Sequence, residues 1–181
     1  MDLPEFLTHL RRSRLLASAE LEEMSRRAAG QPPPAVTELG ELLVQAGRLS
    51  RYQLDKLLAG RSHGLVLGPF EILARLGKGG MASVFLARNK DEQRLVAVKL
   101  VTPRQQQANP ILLERLRREL HFSERVQHPH IVPVYSLTEH HGVHCLALEF
   151  IIGSDLHHDV RHLGPLPWLQ ASSSWGRWPW P

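Results

Sequence analysis

Two short stretches decide the fold of this chain. Residues 76–87 read Leu-Gly-Lys-Gly-Gly-Met-Ala-Ser-Val-Phe-Leu-Ala, and residues 96–99 read Val-Ala-Val-Lys. Glycines at positions 77 and 79 let backbone N–H groups approach a phosphate without interference from a Cβ atom. The apolar residues on both sides alternate with a period of two, which is typical of strands and not of helices. The stretch therefore predicts a β-hairpin whose glycine-rich turn covers a phosphate group.

Three nucleotide-binding motifs compete for these glycines. A dinucleotide fingerprint, G-x-G-x-x-G/A, matches Gly77, Gly79 and Ala82, but it opens a helix and is followed about 20 residues later by an acid. Here residues 84–88 have a strand pattern, and Lys99 stands where the acid is expected. A P-loop needs G-x-x-x-x-G-K-[ST], a string that the chain does not contain. The remaining pattern is that of protein kinases, a glycine loop followed by a V-A-I-K-like strand.

Residues 70–166 resemble, in order, the amino-terminal lobe of bacterial serine/threonine protein kinases of the eukaryotic-like type. On the strand predicted at 95–101, a period of two places Ala97 and Lys99 on one face and the larger apolar residues on the other. The lysine is therefore expected to face a cleft. The resemblance implies that Lys99 binds the α- and β-phosphates of ATP and pairs with a glutamate from the following helix.

The helix that carries this glutamate has a clear predicted start. Asn109 can act as its N-cap, and Pro110 suits the first helical position. Within the helix, Glu119 matches the paired glutamate of the family. Glu114 is the competing choice, but it lies early relative to the His-Pro-His-Ile-Val turn at 128–132 that follows this helix in the resemblance.

Two further strands and a hinge are predicted after that turn. Strands are expected at 131–137 and 143–150, joined by a hairpin turn at 138–142. The segment 146–151 resembles the hinge, where backbone groups near Glu149 and Ile151 would contact adenine and Leu148 would lie at the back of the pocket. The resemblance implies ATP contacts at Leu76, Gly77, Lys78, Gly79, Gly80, Ala82, Val84, Ala97, Lys99, Leu148, Glu149 and Ile151.

The resemblance also implies a cofactor and a partner. ATP with Mg²⁺ is the expected cofactor, and a protein substrate or a partner kinase is the expected partner. Asp155, after the hinge, is a candidate ribose contact, with helix capping as the alternative. No metal ligand is assigned, because the clustered histidines at 140–144 and 158–162 lack the acid or cysteine that usually accompanies them.

The catalytic motifs of a kinase are absent from the 181 residues. The family's H-R-D-x-x-x-x-N loop supplies the catalytic Asp and a metal-binding Asn, and its D-F-G motif supplies the Asp that binds Mg²⁺. Neither string occurs here, and the nearest imitation, at 158–161, follows the hinge too closely. We expect an ATP-binding half with no catalytic residue and weak or absent nucleotide binding. The alternative is a non-catalytic regulatory or protein-interaction module.

Three segments are expected along the chain. The predicted fold is α+β, with a five-stranded antiparallel sheet and one long helix at 68–167, preceded by a small all-helical leader at 1–62. Helix-period leucines and a 33-residue offset between similar patterns suggest two helix pairs in the leader. Ser50 to Gln53 reads as a capping box and Gly60 as a helix stop.

The last segment, 168–181, contains all four tryptophans. Its composition of Trp, Ser and Pro predicts disorder. We interpret the end of the resemblance after Pro167 as a shifted reading frame or a truncated gene product, with an authentic aromatic tail as the alternative. Loss of the larger lobe would expose an apolar surface, so self-association is expected.

Composition excludes several classes of protein. With 43% hydrophobic residues the chain can form a core, and no apolar run approaches the ~18 residues of a membrane span. The amino terminus lacks the features of a signal peptide, so a cytoplasmic location is expected. Cys145 is the only cysteine, which excludes an intrachain disulfide and indicates a buried thiol. The net charge of +4 comes from arginines on predicted helix faces, and no nucleic-acid motif accompanies them.

Overall fold

The computed structural model describes residues 1–29, 35–78, 82–154, 160–162 and 164–165. The chain divides into two compact units, Met1–Phe150 and Ile151–Pro181. The first unit contains the helices and strands that are named below. Its architecture is α+β, with an antiparallel sheet and several helices, which confirms the predicted fold class.

Four helices lie in the described part of the leader, residues 1–29 and 35–62. They are α1 (Leu3–Ser13), α2 (Ser18–Ala29), α3 (Val36–Gln45) and α4 (Arg51–Leu58). The second pair begins at the sequence offset noted above, since α1 starts at residue 3 and α3 at 36, and α2 starts at 18 and α4 at 51. One core joins the helices, formed by the buried residues Phe6, Leu10, Leu16, Leu21, Leu43, Leu49, Leu54, Leu57 and Leu65.

Both predicted ends of α4 are present. The Oγ of Ser50 accepts a hydrogen bond from the N–H of Gln53 at 3.1 Å, and the side-chain oxygen of Gln53 accepts one from the N–H of Ser50 at 2.7 Å. This is a reciprocal capping box. After the helix, Gly60 adopts a left-handed conformation with φ of 70°, and two backbone hydrogen bonds of a Schellman motif satisfy the last carbonyl groups.

The sheet has six strands where five were predicted. They are β1 (Val66–Leu67), β2 (Phe70–Lys78), β3 (Ser83–Asn89), β4 (Arg94–Val101), β5 (Val134–His140) and β6 (Val143–Glu149). All neighbours are antiparallel, in the order β1-β2-β3-β4-β6-β5. The additional strand, β1, has two residues, too few for an alternating pattern to be recognised in the sequence.

Strand β4 lies inside the sheet, between β3 and β6. Val96 and Val98 are fully buried on one of its faces, while Ala97 and Lys99 are half-buried on the other. This confirms the predicted alternation. On the neighbouring strand Cys145 is also fully buried, and desolvation raises the pKa of its thiol to about 12. The thiol therefore stays protonated at neutral pH and acts as a small apolar group.

Two helices follow β4 where one was predicted. Helix α5 (Pro103–Ala108) is capped by Thr102, and the longer α6 spans Ile111–Arg125. The predicted start of α6 is displaced by one residue, because Pro110 occupies the N-cap position and not the first helical position. The Oδ1 atom of Asn109 still accepts a bond from the N–H of Ile111, at 3.3 Å, and so satisfies a free donor of the first turn.

The hairpin between β5 and β6 is tighter than predicted. Strand β5 continues to His140, and the turn consists of His141 and Gly142, with φ angles of 52° and 77°. Two successive positive φ angles are characteristic of the type I′ turn that joins twisted strands. The strand also begins later than expected, at Val134. The preceding Pro133 has no N–H to donate to a neighbouring strand.

Helix α4 of the leader packs on strand β2. The pairing of β2 with β3 is irregular between Ile72 and Ala74, which leaves Leu73 as an extra residue in a bulge. The Oγ of Ser50 donates to the carbonyl of Leu73 at 2.5 Å, and the side-chain amide of Gln53 donates to the carbonyl of Ile72 at 2.9 Å. The capping box of α4 therefore also satisfies backbone carbonyls at the bulge.

Replacing Ser50 with alanine tests this double role. Ser50→Ala removes both the N-cap of α4 and the donor to the Leu73 carbonyl, so we expect the free energy of unfolding to fall by about 1–2 kcal/mol. Urea denaturation followed by circular dichroism measures it. Thr37→Ala, at an exposed position of α3, is the control and should change stability by less than about 0.5 kcal/mol. Equal effects of the two variants would contradict the role of Ser50.

Candidate nucleotide site

A cleft of about 610 Å³ lies between the sheet and helix α6. Its volume is within the range of small-molecule sites. Strands β3, β4 and β6 form one side, and α6 with the segment that follows it forms the other. The lining residues are Val84, Ala97, Lys99, Glu119, Phe122, Ser123, Val126, Ile131, Val132, Val134, Leu148 and Glu149.

One ion pair crosses this cleft. The Nζ of Lys99 on β4 lies 2.6 Å from the Oε2 of Glu119 on α6. The lysine side chain is 30% exposed and the glutamate 35%, so both remain accessible to a ligand. Glu114, the competing glutamate of the sequence, is five residues earlier and pairs with Arg118 on the exposed side of the helix.

Strand register brings the expected apolar walls together. Ala97 is opposite Leu148 on β6, and Val84 on β3 is opposite Lys99. All four side chains line the cleft. The side chains of Val84, Ala97 and Leu148 carry no polar atoms, so they form an apolar wall that suits the face of a flat ring. Among the described lining residues, Lys99 is the one cationic side chain, and it lies beside this apolar wall.

The beginning of the glycine loop lies beside this wall. Gly77 pairs with Val84 across the β2–β3 hairpin, and Lys78 pairs through its backbone with Ser83. The pairing of β2 with β3 has a second bulge between Arg75 and Gly77, where Leu76 is the extra residue. The Leu76 side chain is 46% exposed. A bulge redirects the side chain that it carries.

Some expected contacts lie elsewhere. Ala82 is 5% exposed and packs in a core cluster with Val101, Leu112 and Leu116, so it does not line the cleft. Ile151 is exposed and begins the second compact unit. Glu149 lines the end of the cleft. Three other candidates, Gly79, Gly80 and Asp155, lie outside the described residues, as do His158 and the tail at 168–181.

Sequence reasoning missed the apolar floor of the cleft. Phe122, Val126, Ile131 and Val132, from α6 and the segment that follows it, line this floor and remain exposed, Phe122 by 66%. The spacing along α6 contained a signal, because Phe122 is three residues after Glu119 and therefore on the same helix face. The other residues follow the helix without regular periodicity, so no pattern identified them.

The residues fit a nucleotide better than they fit its metal ion. Lys99 supplies a cation that suits a phosphate group, and the wall supplies an apolar surface. The carboxylates that line the cleft are Glu119, already paired with Lys99, and Glu149. Within the described part of the chain, no group of three His, Cys, Asp or Glu side chains is arranged to hold a metal ion. Mg²⁺ usually needs carboxylates in addition to phosphate oxygens.

Comparison with known families agrees with the geometry. The model of the protein kinase domain matches residues 70–174, more than half of the chain. This chain belongs to the protein kinase domain family. The match extends past Pro167, where the sequence pattern was expected to end. It covers the sheet from β2 onward, α6 and the Lys99–Glu119 pair.

Curated proteins that are similar to this chain include mycobacterial serine/threonine-protein kinases. PknH of Mycobacterium bovis is 35% identical over 103 residues, which are 57% of this chain and 17% of that protein. PknD and PknE of Mycobacterium tuberculosis are 35% and 33% identical over 103 residues, which are 15% and 18% of their lengths. The chain thus spans less than a fifth of each relative. Among the described residues, no helix is both long and apolar enough to cross a membrane.

Two variants on α6 separate the role of the ion pair from that of the core. Glu119→Gln should change the free energy of unfolding by less than about 1 kcal/mol, because both charges are partly exposed to solvent. Leu116→Ala, one turn earlier and 2% exposed, should cost about 2–5 kcal/mol. Chemical denaturation of both variants measures this. A large loss of stability in Glu119→Gln would show that the pair is a structural element of the lobe.

Proposed function

We propose that this chain is the ATP-binding half of a serine/threonine protein kinase domain. The Lys99–Glu119 bond across the cleft carries the proposal, because the family uses this pair to place the phosphates of ATP. Kinases of this family act with ATP and Mg²⁺. In the proposed complex, the adenine lies on Val84, Ala97 and Leu148, and the phosphates lie at Lys99 beneath the turn that begins at Gly77.

Each side chain has a defined part in binding. The ammonium of Lys99 attracts the phosphate oxygens, and the carboxylate of Glu119 holds the ammonium at the cleft instead of letting it extend into solvent. Hydrogen bonds to adenine are assigned to the backbone near Glu149. Bound ATP would supply the transferable phosphoryl group.

Phosphoryl transfer by this chain alone is not part of the proposal. The 181 residues contain neither H-R-D-x-x-x-x-N nor D-F-G. Without the Asp that accepts the proton of the substrate hydroxyl and without the metal ligands, the reacting groups are not positioned. A protein substrate and a cytoplasmic location remain expectations taken from the family and the sequence.

A non-catalytic protein-interaction module is the second candidate. The observation that favours it is the exposed apolar floor formed by Phe122, Val126, Ile131 and Val132. Exposed apolar groups next to one another favour association with another apolar surface. Self-association of the chain through this floor remains a proposal.

Nucleotide binding is the direct test of the first candidate. We expect weak binding of ATP to the full chain, detectable by saturation-transfer NMR and little affected by Mg²⁺. Lys99→Met should lower the affinity by about tenfold, since a charged hydrogen bond to phosphate is lost. Ala97→Phe should abolish binding by filling the space of the base. Lys90→Met, on the β3–β4 turn outside the cleft, is the charge-matched control. Equal effects of Lys90→Met and Lys99→Met, or unchanged binding in Ala97→Phe, would refute the site.

Phosphotransfer is tested separately with labelled ATP, Mg²⁺ and a general protein substrate. The full chain should give no incorporation above background, and Lys99→Met should be indistinguishable from it, because the catalytic Asp and the metal ligands are missing. Incorporation that disappears in Lys99→Met would show that other residues of this chain support catalysis.

A further inference from the structure

A second cleft lies between the leader and the sheet. Its volume is about 760 Å³, and three separate parts of the first unit form it: the end of α1, the loop before β1 and the β5–β6 hairpin. The lining residues are Arg11, Arg12, Ser13, Arg14, Ser62, His63, Gly64, Val66, Leu67, His141 and Val143. None of these residues lines the nucleotide cleft.

The charge of this second cleft is one-sided. Arg11, Arg12 and Arg14 line it, His63 and His141 add two imidazoles, and its lining contains no aspartate or glutamate among the described residues. In contrast, Arg48, Arg51, Arg94 and Arg118 each face a carboxylate. Within the described part of the chain, the three arginine side chains of the cleft face no such carboxylate.

Stabilisation of the carboxyl-terminal end of α1 explains only part of this cluster of arginines. Arg11 and Arg12 lie in the last turn of α1, where cations interact favourably with the helix dipole. Arg14 lies beyond the helix, with a left-handed φ of 59°, and still lines the same cleft. His141 belongs to a hairpin more than a hundred residues later. The arginines at the end of α1 thus line one cleft together with histidines from two distant segments. Donor groups that meet in one cleft are what an anion site requires.

The chemistry favours phosphate over carboxylate. A guanidinium presents a planar fork of donors that matches two phosphate oxygens, and three unpaired guanidinium groups suit a dianion better than a monoanion. The cleft is larger than one phosphate group needs, and Val66 and Val143 give it an apolar part. We propose that this cleft binds a phosphorylated serine or threonine side chain of a peptide, with an apolar neighbour of that residue on the valines.

Nucleic acid is the less suitable ligand. Proteins that bind single strands combine cationic grooves with aromatic side chains on which bases stack. No Phe, Tyr or Trp lines this cleft in the described part of the chain. Because the site lies at the junction of leader and sheet, a bound phosphopeptide would contact both. The inference does not depend on nucleotide binding at the other cleft.

Fluorescence anisotropy on the full chain tests the proposal. The probe is a fluorescein-labelled peptide with one phosphoserine between apolar residues, and the same peptide with unmodified serine is the reference. We expect the phosphopeptide to bind at least about tenfold more tightly, with an affinity that falls as salt is added. Equal binding of the two peptides would overturn the proposal.

Matched variants locate the binding. The triple variant Arg11→Gln, Arg12→Gln, Arg14→Gln should abolish the preference for phosphoserine. The triple variant Arg104→Gln, Arg117→Gln, Arg125→Gln removes the same charge from exposed positions of α5 and α6 and should retain it. If the first triple variant is unfolded by circular dichroism, Arg12→Gln and Arg14→Lys replace it, and each should weaken phosphopeptide binding.

Competition identifies the ligand class. Unlabelled phosphopeptide should displace the probe at much lower concentration than inorganic phosphate or a single-stranded oligonucleotide. Displacement by inorganic phosphate at equal concentration would show a free-phosphate site and refute the peptide assignment. Tighter binding of the oligonucleotide, lost in the first triple variant, would show a nucleic-acid surface and refute it as well. An equal loss of phosphopeptide binding in both triple variants would show that binding depends only on the net charge of the chain, and would refute a site at this cleft.

Discussion

The alternation of side chains along β4 is the constraint on which the rest of the lobe depends. Val96 and Val98 can be buried only if the strand presents Ala97 and Lys99 to the opposite face. A shift by one residue would bury the ammonium of Lys99 and expose two valines, which is unfavourable on both counts. The hydrophobic effect on one face of the sheet thus fixes the position of the Lys99 ammonium on the other.

Helix α6 is oriented in the same way, because burial of its apolar face fixes where its glutamates lie. Leu112 and Leu116 are buried against the sheet together with Val101 and Leu146, and this packing sets the rotation of the helix about its axis. With that rotation, Glu119 lies over β4 and meets Lys99, while Glu114 faces solvent and meets Arg118. The ion pair is partly exposed and contributes little to stability. It is a consequence of core packing on both sides of the cleft.

Much of this arrangement could be predicted from the sequence, where a pattern repeats or a motif is local. The alternation of β4, the capping box at Ser50 and the buried Cys145 were all predicted and are present. The two-residue strand β1 was missed, because it is defined by pairing with β2 and not by its own pattern. The place of Ala82 depends on a tertiary contact: a small residue after a glycine loop can face ligand or core, and here it faces the core.

The contact between leader and lobe was also not predictable, and it changes how the two regions are related. Ser50 satisfies its own helix, as any N-cap does, but the same hydroxyl also donates to the carbonyl that the bulge at Leu73 leaves free. Gln53 is fully buried between Glu71 and the carbonyl of Ile72. A polar side chain is buried without loss only when its donors are satisfied, so this surface of α4 is suited to β2 and poorly suited to water. Strand β2 continues directly to Leu76 and Gly77. The leader is therefore hydrogen-bonded to the strand that leads into the glycine-rich turn.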